Sequence, residues 1–259
     1  MVNLLRADLY MLRRTPAVAL CLLVCAVAAG LHVWLMHLLA ADALDPAAAN
    51  GVPALSDAML VGLLGPLLVG TVVARSFETK SVHDALLGAG RGPFVASRAV
   101  VAVGAVILLA VPYGVAALVA LGSDAAFTAA VPTSFSVLAA GPKDPSTATV
   151  ARVAVITVVT GLVYAGKLAI CLPLAFRLRP VVVMAAGFTW SFAGDLVFSS
   201  LRDVEGLGAL ARLTPFAEEY NVTMSSTVGD MVAATGVSVG AVAAMGGLAY
   251  LMFRKADVK

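Results

Sequence analysis

Between Ala99 and Leu121 the chain runs without a charged side chain, and five further stretches carry at most one Asp, Glu, Lys or Arg each. A helix rises 1.5 Å per residue and must cover a hydrocarbon core of about 30 Å, so about 20 mostly apolar residues make one span. Six stretches meet that length: residues 16–39, 55–74, 99–121, 153–176, 181–201 and 231–253. Lipid offers the backbone no hydrogen-bond partner, and the runs lack the two-residue alternation of barrel strands, which predicts helices. The chain is 61% apolar and 12% charged, against about 45–50% and about 25% in soluble domains. One water-soluble core cannot absorb that excess. The expected fold is an all-α polytopic membrane bundle of six transmembrane helices, forming a single domain over residues 1–259. The longest segments outside the spans, 122–152 and 202–230, are too short to fold alone.

Basic residues set the orientation. With the N-terminus inside, inner segments hold Arg6, Arg13, Arg14, Arg75, Lys80, Arg91, Arg98, Arg177, Arg179, Arg254, Lys255 and Lys259; outer segments hold only Lys143, Arg152, Arg202 and Arg212. Twelve against four over short loops predicts both termini in the cytoplasm. The net charge of +2 averages two sides of a membrane and leaves no nucleic-acid footprint. The expected location is a bacterial cytoplasmic membrane, with the lipid bilayer as surroundings.

Ahead of the first span, Leu5, Leu9 and Leu12 fall at helical spacing among Arg6, Arg13 and Arg14. This predicts an amphipathic interfacial helix, the alternative being ordinary basic flanking sequence. The following apolar run of about 24 residues exceeds the 7–15 of a signal-peptide core, which predicts an uncleaved span.

Chemistry-bearing residues are sparse. Cys21, Cys25 and Cys171 lie in apolar runs, where free cysteine acts as a small hydrophobe. His32, His37 and His83 are dispersed and without metal-ligand spacing. Lys167 and Asp195 lie inside spans, where a central charge costs roughly 2.5–3.5 kcal/mol. At 1.5 Å per residue they sit about 14 Å and about 21 Å from the inner edge, a difference that a lysine stem can largely bridge. They read either as an ion pair between consecutive spans or as the lining of a transport path or dimer cleft. Gly236 and Gly240, with Ala244, and the face shared by Gly187, Ser191 and Asp195 permit close helix packing within or between subunits. Pro66 and Pro112, the latter near Gly114, predict kinks. Asp203 to Leu213 reads as a short helix ending before Pro215, with Phe216 to Tyr220 as an interfacial anchor.

The segment between the second and third spans is the most informative. After Phe77 and Glu78 come Lys80, Ser81, the pair Leu86 and Leu87, a turn with Gly90 and Arg91, and Arg98 opening the third span. Val82, Ala85 and Leu86 give its first half one small apolar face, and the glycines before Pro93 end that helix. This pattern resembles the type-2 permeases of ABC transporters, particularly their bacteriocin- and lantibiotic-immunity-like branch. Members carry an apolar residue and Glu after the second span, then a hydroxyl or small residue, an apolar pair, a glycine turn with a basic residue, and a basic residue opening the third span. Here the turn, Gly88 to Pro93, is richer in glycine than usual.

The resemblance implies a coupling helix docked into a separate ABC ATPase subunit, with Phe77, Glu78, Lys80, Ser81, Leu86 and Arg91 at or near that contact. ATP and Mg would belong to the partner, because this chain has no GxxxxGK[ST] phosphate loop. No cofactor is expected on the chain itself, and it is not expected to be an enzyme. The resemblance further implies a second permease copy or a similar permease, as a homodimer or heterodimer, exporting a peptide antibiotic or other amphipathic cargo. The alternative is an ion-coupled secondary transporter using Lys167 and Asp195, which the lack of an internal repeat argues against. An intramembrane enzyme is disfavoured, since Ser191 near Asp195 does not supply a nucleophile and its base.

Overall fold

The structure, a computed structural model, describes residues 2–45, 54–78, 90–123, 125–127, 146–202, 204 and 207–254. Of these residues 84% are helical and none is in a strand. In chain order the helices are α1 (Val2–Arg14), α2 (Pro16–Ala40), α3 (Asp57–Glu78), α4 (Arg91–Leu121), α5 (Thr147–Lys167), α6 (Cys171–Ala175), α7 (Pro180–Leu201), α8 (Gly208–Ala211) and α9 (Val228–Arg254). A 3-10 turn, Leu168–Ile170, joins α5 to α6. Among the described residues, five helices are long and apolar enough to cross a membrane: α2, α4, the α5–α6 unit over Thr147–Ala175, α7 and α9. In α3 the apolar stretch Asp57–Val73 is shorter.

Local chemistry explains the starts of these helices. Gly90 has φ 76°, a left-handed conformation that suits glycine, and α4 begins directly after it at Arg91 instead of Ala99. Pro93 is then in the first turn, where a missing N–H costs nothing. The hydroxyl of Ser146 accepts from the Thr149 amide at 3.2 Å and caps α5. Thr227 and Asp230 cap α9 reciprocally: the Thr227 amide donates to Asp230 Oδ2 at 2.7 Å, and the Asp230 amide to Thr227 Oγ1 at 3.2 Å.

The core joins α3, α4 and the α5–α6 unit through Val61, Leu68, Val73, Ala105, Leu109 and Cys171. Around it lie α2 and α7, and α9 is the least enclosed of the long helices. Leu20, Leu23, Val115, Val119, Val155, Val158, Val232 and Val239 are exposed. An apolar surface on this scale is a liability in water and a match for lipid.

Two close approaches depend on glycine. A Cβ on Gly187 of α7 would overlap Cys171 Sγ and lie 2.6 Å from Pro66 Cβ, and one on Gly114 of α4 would lie 2.8 Å from Thr157 Cγ2. In contrast, a Cβ on Gly236 or Gly240 would meet nothing within 4 Å, so neither packs a helix against another described segment of the chain.

Two readings of the sequence change. In α1 the enclosed face is Leu5, Asp8 and Leu12, while Leu9 is exposed, because Asp8 is held by an ion pair. Among the described residues of 203–213, the α-helix covers only Gly208–Ala211. Phe216, read from the sequence as part of an interfacial anchor, is buried within the chain between Trp190 and Phe198, with ring centroids at 5.8 Å and 5.2 Å.

Candidate functional site

Two places gather the chemistry, one at each end of the bundle. The first is the end where α3 finishes and α4 begins. Asp8 of α1 is buried against α4, accepting from Ser97 Oγ at 2.7 Å and pairing with Arg98 Nη2 at 3.3 Å. Arg98 also donates from Nη1 to the Val72 carbonyl of α3 at 3.0 Å and lies 5.3 Å from the Phe94 ring centroid. One guanidinium therefore ties three helices together. A partner lost from a buried pair leaves its charge uncompensated, at a cost of about 3–5 kcal/mol.

Arg91, at the start of α4, ties that helix to α9 in a comparable way. Its Nη1 donates to the carbonyls of Phe253, at 3.2 Å, and Arg254, and its guanidinium lies 5.6 Å from the Phe253 ring centroid. A cation on the last carbonyls of a helix is favourably placed against its dipole. Phe94, Phe176 and Phe253 pack together beneath it with centroids 5.3–6.5 Å apart. Of the other residues assigned to coupling, Phe77 and Glu78 close α3 but their side chains are not among those described, and Lys80, Ser81 and Leu86 lie outside the described residues.

The second place is a cavity of about 410 Å³ in the opposite half of the bundle. Lys167 Nζ donates to Asp195 Oδ1 at 2.7 Å, joining α5 to α7 within the cavity wall. The lysine side chain is 12% exposed and the aspartate side chain 52%. Lys167 is also where α5 breaks. Pro173 lacks an N–H and crowds the preceding turn, so the helix tightens to the 3-10 turn and the Cys171 amide bonds to Leu168 in place of Lys167. The Lys167 carbonyl, at the head of that turn, also accepts from Trp190 Nε1 at 3.1 Å. Phe216 lies under the ammonium, 5.5 Å from Nζ to the ring centroid.

A second carboxylate stands behind the same wall. Tyr164, which lines the cavity, donates its hydroxyl to Asp57 Oδ2 at 2.9 Å. Asp57 is 1% exposed, and its Oδ1 accepts no hydrogen bond from the described residues. The Thr160 hydroxyl, also in the wall, has no partner among the described residues, whereas Thr71 and Thr157 donate to carbonyls four residues earlier. Glu218, on the remaining side, pairs with Arg202. Outside the long helices, burial raises the Tyr220 hydroxyl above its ordinary value, Glu219 adds to that rise and Arg212 opposes it.

The sequence reading named Lys167, Asp195, Arg91 and Arg98 but missed Asp57, Tyr164, Phe216 and Pro173 as members of these sites. A signal existed for two of them: Asp57 is a carboxylate within the second apolar run, and Pro173 a proline within the fourth. Among the described residues no group of three His, Cys, Asp or Glu side chains is placed to hold a metal. Comparisons of the chain with protein-family models, curated proteins and solved structures give no match.

Proposed function

We propose that this chain is the transmembrane permease subunit of an ATP-driven exporter in a bacterial cytoplasmic membrane. In this reading α3 is a sixth crossing, both termini are cytoplasmic, and the stretch from Phe77 to Arg98 carries the coupling contact presented to an ABC ATPase. The observation that supports it most is the pair of arginine anchors in the second half of that stretch. Arg91 grips the end of α9, and Arg98 grips α1 and α3. A displacement of the segment would thus reach four helices through two side chains. Two such permeases, identical or similar, would form the pathway for an amphipathic cargo, with Gly236 and Gly240 available to a partner helix.

Charge reversal at Glu78 tests the coupling role. Glu78→Lys is expected to leave the purified fold intact and to abolish ATP-driven transport; unchanged assembly and transport would remove Glu78 from the coupling contact.

A second reading, an ion-coupled secondary transporter, draws support from the break in α5 at Lys167 and from its ion pair in the cavity wall. It requires transport under an ion gradient with no ATPase present.

A further inference from the structure

One end of the bundle is strongly basic. Where α1, α6 and α9 finish and α4 begins, the described side chains include Arg13, Arg14, Arg91, Arg177, Arg179 and Arg254, and none of the six forms an ion pair with another described residue. Asp8, the carboxylate described at this end, is held by Arg98.

A cleft of about 350 Å³ runs between α4 and α9 and reaches this end at Gly92 and Tyr250. Its walls are Ala96, Ala99 and Val100 on one side and Val242, Ala243 and Gly246 on the other, with no charged residue among them. The two helices are clamped at the arginine end by Phe94, Ala249 and Phe253 and by Arg91 on the Phe253 and Arg254 carbonyls. Beyond the clamp the small residues leave the space between the helices unfilled. A Cβ on Gly246 or Gly247 would meet nothing within 4 Å, and Val100 is 51% exposed, so the cleft opens on the outer face of the bundle. An unfilled slot forfeits dispersion contacts along both walls.

The rim of the cleft has donors to give. Arg91 spends only Nη1 on the two carbonyls, and its Nε and Nη2 bond to no described residue. Arg254 is exposed, and its guanidinium likewise bonds to none of them. An apolar slot with guanidinium groups at one end is complementary to an anionic phospholipid, hydrocarbon along the walls and phosphate at the rim. A second copy of the chain fits this face less well. Both copies would point the same way in a bilayer, so a symmetric pair would bring one arginine rim against the other.

We infer that the α4–α9 cleft holds an acyl chain of one anionic phospholipid, whose phosphate is bound at Arg91 and Arg254. The lipid braces α9, the least enclosed of the long helices, against α4. The inference requires only that the chain lies in a bilayer, and it stands whether or not the chain is a permease subunit.

Full-length protein in a neutral detergent is offered dioleoyl phosphatidylglycerol and dioleoyl phosphatidylcholine, which share their acyl chains, and the lipid bound to each chain is read by native mass spectrometry. One phosphatidylglycerol is expected per chain, preferred about tenfold over phosphatidylcholine. Gly246→Leu and Val100→Phe fill the cleft from opposite walls, and each is expected to abolish this binding. Arg254→Gln is expected to reduce the preference about fivefold. Gly240→Leu, on α9 but outside the cleft, should change neither quantity. Equal binding of the two lipids, phosphatidylglycerol binding that survives both cleft-filling changes, or an unaltered preference in Arg254→Gln each overturn the inference. Loss of a dimer in the cleft-filling variants with lipid binding unchanged also overturns it and makes the cleft a subunit face. The comparison of lipids needs no variant, and the two filling variants lie on different helices, so one that fails to fold does not obscure the answer.

Discussion

Arg98 meets Asp8 at 3.3 Å across the α4–α1 boundary, with both side chains largely enclosed. The N-terminal helix is therefore fastened by charge to the same residue that reaches the Val72 carbonyl on α3. Asp8→Ala is expected to destabilise the protein by about 3–5 kcal/mol, because the arginine remains buried without its partner. Asp8→Asn, which can still accept from Ser97, should lose less. Thermal or denaturant unfolding in detergent measures both, and equal stability of Asp8→Ala and the parent protein would contradict the arrangement.

Glycine at 187 and 114 allows contacts that no larger residue can share. Gly187→Val places bulk against Cys171 and Pro66, and Gly114→Val against Thr157. Each is expected to cost about 1–3 kcal/mol through overpacking. Gly240→Val meets open space and should leave the stability of the isolated chain unchanged. A drop in its oligomer fraction, read by crosslinking in membranes, would then locate a partner helix on α9.

The bundle architecture was legible because membrane spans are written in long runs, and even a degenerate reading of hydropathy recovers helices such as α2 and α9. Their ends were less legible. The glycine turn at Gly90 was legible, but not that α4 starts directly after it at Arg91, ahead of the apolar run that begins at Ala99. For the cavity, the charges Lys167 and Asp195 stood out against an apolar background, but Tyr164 and Phe216 are ordinary residues for a membrane chain, and only packing brings them to the lysine and to Asp57. The α1 face was misassigned because Asp8 occupies a position that hydropathy gives to Leu9.

The three cysteines should resist modification. Cys25 and Cys171 are 0% exposed and Cys21 is 3% exposed, and all are free thiols. Maleimide is expected to leave the native protein unlabelled and to label it after denaturation. Rapid labelling of the native form would show that the α2–α4 contact or the α6–α7 contact opens.

Lys167 and Asp195 should behave as a coupled pair. Each single change, Lys167→Met or Asp195→Asn, leaves one charge in the span without its partner, and the double change removes both. A double-mutant cycle on unfolding is expected to give a coupling of about 0.5–3 kcal/mol. Strict additivity would mean that the 2.7 Å contact contributes nothing to stability.

Energy source separates the permease account from its rival most directly. The chain, reconstituted in proteoliposomes with the ATPase that co-purifies with it, is supplied either with ATP or with an ion gradient. The account predicts amphipathic-cargo transport that requires both the ATPase and ATP and is unaffected by collapsing the gradient. Transport driven by the gradient through the chain alone would contradict it.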